Sequence, residues 1–236
     1  MNRQFHPRCS DAAIVQLAVN PAAGRHDRAK VDALARALER RGATVIRTEC
    51  GPHRAFELDA RAGQVCAIGG DGTARHVAVA ASRSGRPVGI SLYPAGTINL
   101  LHRERAGALD PDLRAAALLA GDAGRNHYAA SINDSLFLAC ASVGPDSAAV
   151  AVVSPRLKAR VGRLAYAAAF LRVLLAWPRR PIALRSNGRT IACEAFYVAK
   201  GRFFAGPWSF APEASVGDPL LHVVALAKLT RRRYAR

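Results

Sequence analysis

The sequence predicts an α/β protein in which an open parallel sheet with helices on both faces precedes a strand-rich, antiparallel region. From residue 14 to residue 92, short apolar or β-branched runs alternate with stretches whose apolar residues recur at helical spacing, and glycine or proline closes most of the runs. After a boundary near residue 125, strand-like runs follow one another without regular helical crossovers, which is the pattern of an α+β domain.

The elements follow in order. Ile14 to Val19 is a strand ending at Asn20-Pro21, and Val31, Leu34, Ala35 and Leu38 mark a helix over residues 31–41. Gly42 punctuates, Ala43 to Arg47 reads as a second strand, and Phe56 to Ala62 as a short helix. Val65 to Ile68 is a third strand, Gly69 to Thr73 a glycine turn, Val77 to Ala81 the body of a helix, and Val88 to Leu92 a fourth strand closed by Pro94 and Gly96. A helix over Leu113 to Leu119 follows Asp110-Pro111. Beyond it, strands are expected at Tyr128 to Ile132, Leu136 to Val143, Ile182 to Arg185, Thr190 to Ala199 and Leu220 to Leu226, with one basic and apolar helical tract from Leu157 to Trp177.

Composition sets the outer limits. The 236 residues are 50% hydrophobic and 22% charged, which suits one large or two small folded domains and excludes bulk disorder. Thirty-four Lys+Arg against 17 Asp+Glu leave a net charge of +17. That surplus has two readings: compositional drift towards Arg and Ala, since only Lys30, Lys158, Lys200 and Lys228 are lysine, or attraction to phosphates of a nucleic acid, an anionic membrane or a phosphorylated ligand. No zinc-finger spacing or basic stripe interleaved with aromatics supports specific nucleic-acid binding. Cys9, Cys50, Cys66, Cys140 and Cys193 are widely spaced and odd in number, which points to a reducing compartment and no zinc site. The N-terminal residues lack a secretory apolar region, so a cytoplasmic location is expected. The most apolar stretch, Leu164 to Trp177, contains Arg172 and is shorter than the ~20 residues that span a bilayer. It reads as a core helix with a solvated basic face, or as a helix that docks on anionic lipid.

Three loops carry the chemistry. Asn20-Pro21-Ala22-Ala23-Gly24-Arg25 and Gly69-Gly70-Asp71-Gly72-Thr73 stand at the ends of expected parallel strands, where open α/β sheets bind ligands. The glycines of the second loop allow backbone N–H groups to face phosphate oxygens at the start of a helix. Asp71 inside such a cradle would work through Mg²⁺, bind sugar hydroxyls or handle a proton; the bland reading is a tight strand-to-helix turn. Pro94-Ala95-Gly96-Thr97-Ile98-Asn99 is the third loop, with Thr97 as a candidate helix N-cap. Neither the dinucleotide-binding glycine pattern nor the P-loop occurs.

Taken in order with Thr48, Phe137 to Asp146 and Ala211 to Leu221, these loops resemble the diacylglycerol kinase catalytic-domain family, which includes bacterial soluble lipid kinases and sphingosine kinases and shares its first domain with NAD kinases. The resemblance implies an α/β nucleotide-binding domain over residues 1–125 and a β-rich sandwich, lipid-substrate domain over 126–236. It implies ATP contacts at Asn20, Gly24, Arg25, Thr48, Gly69, Gly70, Asp71, Gly72, Thr73, Arg75, Thr97 and Asn99, and a structural Mg²⁺ near Ser215, Asp218 and Leu220. A second Mg²⁺ would accompany ATP. The chain departs from the family pattern in Arg75 and His76, where Asn and Glu are usual, and in Asp218-Pro219-Leu220-Leu221, where glycine is usual after the Asp. Related enzymes draw a general base from a segment beyond the last matched strand, so the sandwich is expected to be incomplete and Asp71 to serve as the catalytic carboxylate.

The function implied is transfer of the γ-phosphate of ATP to the hydroxyl of a diacylglycerol-like lipid. A non-catalytic member that binds ATP or membrane, and NAD kinase-like chemistry, are the alternatives. Expected partners are a lipid substrate at the inner face of an anionic membrane and, for self-assembly, a second copy in a homodimer; a specific nucleic acid is not expected.

Overall fold

The computed structural model describes residues 12–121, 125–153, 163–176, 181–186 and 188–227. They form two compact units. The first takes the chain up to Ala22, His26–Pro94, and the chain from Gly107 through the helix that follows; the second takes Ala23–Arg25, Ala95–Ala106 and the chain from Arg125 onward.

In the first unit, strands β1 (Ile14–Val19), β2 (Thr44–Glu49), β3 (Gln64–Gly69) and β4 (Gly89–Pro94) form one all-parallel sheet in the order β2-β1-β3-β4. The two central strands are buried on both faces, which is why they read as continuous apolar runs. Alternation then divides the core. Val15, Leu17, Val19, Cys66 and Ile68 pack with helices α1 (Arg28–Glu39) and α4 (Pro111–Leu119), whereas Ala18, Val65 and Ala67 pack with Val77 of α2 (Asp71–Ser84) and with Phe56. Helices therefore cover both faces, as expected. Helix α1 starts where Asp27 accepts from the Lys30 N–H, and α4 where Asp110 accepts from the Leu113 N–H with Pro111 at the first helical position. Helix α2 ends at Gly85, whose φ of 66° is the left-handed conformation of a helix stop.

The segment expected to be a helix, Phe56 to Ala62, is instead a loop. Gln16 explains it. This side chain points from β1 into the α2 side of the sheet, is 1% exposed, and donates to the Glu57 carbonyl (2.9 Å) while accepting from the Asp59 N–H (2.9 Å). Backbone groups that a helix would use internally are claimed by Gln16.

In the second unit, β7 (Cys140–Val143), β10 (Ala195–Ala199) and β11 (His222–Leu226) make an antiparallel sheet in the order β11-β10-β7. Two antiparallel pairs accompany it: β5 (Ala130–Ile132) with β6 (Ser135–Phe137), and β8 (Ile182–Ser186) with β9 (Arg189–Cys193). The runs Leu136 to Val143 and Thr190 to Ala199, read as single strands, are each split in two. The local core gathers Tyr197, Ala199, Ala211 and Ala214, with Phe204 and Phe210 set edge-on to Tyr197 at 4.9 and 5.1 Å between ring centroids. Helices α3 (Leu100–Glu104) and α5 (Pro145–Val152) escaped the sequence reading, although Pro145 at a first helical position marks α5. Helix α6 (Arg163–Ala176) lies in the expected tract, whose residues 157–162 and Trp177 are outside the described ones. Leu171, Arg172 and Leu175 are exposed on it, so this face does not enter a core.

Two measurements check this packing. Gln16→Leu strands the Glu57 carbonyl and the Asp59 N–H without their partner, and should lower unfolding stability by about 1–3 kcal/mol, read as a lower urea midpoint at unchanged slope. Burial pushes the Cys66 thiol up from 9.0 to about 12. An unfolded thiol therefore loses its proton first as pH rises, and stability should fall between pH 9 and 12 at up to about 1.4 kcal/mol per pH unit. Burial of Tyr93 and Tyr197 acts in the same sense, so Cys66→Ala should reduce the slope without abolishing it.

Candidate functional site

The first group of candidate residues stands at the C-terminal ends of β1 and β3. These strands are direct parallel neighbours, with Val19 opposite Ile68, and the Asn20 N–H donates to the Ile68 carbonyl at 3.0 Å. Asn20 and Gly69 are thus delivered side by side, where parallel sheets present ligands. Gly69 is required sterically: a Cβ there would fall 2.1 Å from Thr73 Oγ1. With that space open, Thr73 is buried and its Oγ1 accepts from Asn20 Nδ2 at 3.2 Å, while Asn20 Oδ1 accepts from the Ala22 N–H at 3.0 Å. The Asn20 amide thus joins the two loops through Nδ2 and braces its own loop through Oδ1.

Gly70 is the N-cap of α2 in extended conformation and offers no capping side chain. The first helical bond runs from the Ala74 N–H to the Gly70 carbonyl at 3.1 Å, so Asp71, Gly72 and Thr73 head a 14-residue helix with its positive dipole end at this loop. Nothing lies within 4 Å of a Cβ built on the exposed Gly72, so the loop has an open side. Asp71 is half-buried in the first turn, and Arg75 and His76 are half-buried one turn further on. Thr48 lies on β2. Its Oγ1 accepts from Gln16 Nε2 at 2.8 Å, tying it to the same buried amide that shapes the Phe56–Ala62 loop.

The second group belongs to the other unit. The Arg25 N–H donates to the Ala95 carbonyl at 2.8 Å, and a Cβ on Gly24 would stand 3.3 Å from Thr97 Oγ1, so the Gly24–Arg25 and Ala95–Asn99 segments lie against each other. Asn99 is a structural clamp. Its Oδ1 accepts from the Gly96 N–H (3.0 Å), its Nδ2 donates to the Gly96 carbonyl (2.8 Å), and it is buried in the left-handed conformation at φ 56°. Asn99, not Thr97, is the N-cap residue of α3. Both amide atoms of Asn99 thus fix the loop that carries Thr97.

The third group, Ser215, Asp218 and Leu220, does converge, but on a protein cation. Lys200 Nζ donates to the carbonyls of Ser215 (3.3 Å), Leu220 (3.2 Å) and Asp218. Lys200 is 1% exposed, and burial lowers its pKa while Asp218 and Glu104 raise it. Glu104, at the end of α3, works beside it: Oε1 accepts from the Val216 N–H (2.8 Å) and Oε2 from the Arg202 N–H (2.9 Å). The carbonyl set proposed for Mg²⁺ therefore faces an ammonium group in this chain. Among the described residues no group of three or more His, Cys, Asp or Glu is arranged to hold a metal ion.

Gln16, Glu104 and Lys200 were missed by sequence reasoning. Only Lys200 left a signal, as one of four lysines in an arginine-rich chain, placed at the end of the apolar run Ala195 to Ala199.

Comparisons with known proteins agree with this layout. Residues 15–129 match the diacylglycerol kinase catalytic domain, and residues 139–236 match the YegS C-terminal NAD kinase beta sandwich-like domain. A curated protein of Pseudomonas aeruginosa (strain UCBPP-PA14), "Probable lipid kinase YegS-like", is 31% identical over 166 residues, 67% of this chain and 52% of that protein. The chain thus spans about half the length of the curated relatives it matches. The crystal structure of a diacylglycerol kinase from Bacillus anthracis str. Sterne superposes with a TM-score of 0.66 at 18% identity, covering 91% of this chain and 73% of its own. A second crystal structure from that strain gives 0.68 at 17%, over 93% and 76%. With both domain models matched in order, and a parallel α/β unit followed by an antiparallel strand-rich one, the chain belongs to the diacylglycerol kinase catalytic-domain family of lipid kinases.

Proposed function

We propose that the chain is an ATP-dependent lipid kinase, which moves the γ-phosphoryl group of ATP to the hydroxyl of a diacylglycerol-like lipid. The observation that carries this reading is the Gly69–Thr73 loop: a strand end, an open glycine turn and a helix start locked to Asn20 through Thr73. Backbone N–H groups at such a helix start hold phosphate oxygens without any side-chain charge. Thr48, in the same unit as this loop, is a further nucleotide contact in this reading.

Asp71 is the carboxylate this loop offers. It orients the lipid hydroxyl for in-line attack on the γ-phosphorus and accepts its proton, as ADP leaves. Mg²⁺ accompanying ATP would supply positive charge to offset that on the phosphates. The similarity to lipid kinases supports a lipid hydroxyl as the acceptor in this reading. The exposed Leu171, Arg172 and Leu175 of α6, together with the net charge of +17, suit peripheral attachment to an anionic membrane at the cytoplasmic face. Among the described residues no helix is long and apolar enough to cross a membrane.

The test is ADP formation by the purified chain with ATP, Mg²⁺ and mixed micelles holding long-chain diol lipids. Asp71→Asn should lower kcat by about 10²–10⁴-fold while ATP still binds. Gly69→Ala should lose ATP binding, because its Cβ displaces Thr73. Bound ATP with no phosphorylated lipid from the unaltered chain would make this a non-catalytic member, and phosphorylation of NAD in place of lipid would make it NAD kinase-like.

A further inference from the structure

We infer that the Lys200 ammonium group is a built-in replacement for a structural metal ion, so that the Ser215–Leu220 loop of this chain holds its shape without Mg²⁺. Three carbonyl oxygens from residues 215, 218 and 220 turn inward to one point, which is the arrangement a hard cation requires. Left unfilled, such a cluster of converging carbonyl dipoles is unfavourable, and either a metal ion or a cationic side chain relieves it. Here the side chain is anchored from below. The N–H groups of both Lys200 and Gly201 donate to the Ala139 carbonyl at 2.8 Å, which fixes the base of the lysine at the end of β10. Its ammonium also lies 5.7 Å from the Tyr128 ring centroid, a second stabilising surface for a cation.

The surroundings are built for this fit. Gly201 has no room for a Cβ, which would stand 2.5 Å from Glu104 Oε2 and 3.0 Å from Val216 Cγ1. Glu104 in turn takes the N–H groups of Val216 and Arg202. The loop is thus gripped by opposite charges, its carbonyls by Lys200 and one of its N–H groups by Glu104. A metal ion at the same point would have to expel a buried ammonium group, and two like charges cannot share one set of oxygens.

Two measurements on the full, nucleotide-free chain test this. Reductive methylation with peptide mass spectrometry should modify exposed Lys30 and spare Lys200, with Lys200 reacting at least about tenfold more slowly, in millimolar Mg²⁺ and in EDTA alike. Lys200 reacting as fast as Lys30 in either buffer overturns the inference. Thermal unfolding should show the same Tm in Mg²⁺, Ca²⁺ and EDTA, and Lys200→Met, which keeps the length and removes the charge, should lower Tm by more than about 4 °C. An unchanged Tm in that variant also overturns it. If Lys200→Met does not fold, the methylation pattern of the unaltered chain decides.

Discussion

A missing methyl group at Gly69 determines where α2 can begin. The last residue of β3 and the third residue of α2 compete for one volume, and because position 69 has no side chain Thr73 wins it. From there the consequences run outward. Thr73 Oγ1 reaches Asn20, Asn20 ties the end of β1 to the start of α2, and the helix begins directly at the sheet edge with its N–H groups uncovered by any capping side chain. Parallel neighbours β1 and β3 make this geometry reproducible, since their register sets Asn20 and Gly69 level. The anion-binding character of the loop follows from backbone alone.

Polar side chains whose amides or carboxylates bond to backbone groups organise the irregular segments. Gln16 spends both N–H donors on Thr48 and Glu57 and accepts from Asp59, and so couples β2 to a loop that has no regular structure. Asn99 does the same within the turn at Gly96, and Glu104 with the N–H groups of Val216 and Arg202. In each case one side chain replaces the ladder or helix bonds the backbone lacks, which satisfies buried groups that would otherwise be costly.

The sheet of the first unit was legible because its central strands are buried on both sides and its helices carry clean starts and stops at Asp27, Asp110 and Gly85. The glycine loop was legible because close packing there admits only glycine at position 69. What could not be read were partners distant in the chain. Phe56 to Ala62 has local helical potential, and only Gln16, some 40 residues away, overrides it. Thr97 looked like a cap because Asn99's buried clamp on Gly96 has no local signature beyond its residue type. Likewise nothing local to Asp218 shows that the carbonyls around it face Lys200, which follows β10 and is distant in the chain.

Lysine and arginine differ here in shape. An ammonium nitrogen donates along three tetrahedral directions and meets three carbonyls, whereas a guanidinium donates in a plane. Of the 34 basic residues four are lysine, so 34 − 4 = 30 are arginine. Whatever has filled this sequence with arginine meets at position 200 a cavity that discriminates between two side chains of equal charge. An exchange that is harmless on the surface would there push apart the very oxygens that the smaller cation draws together.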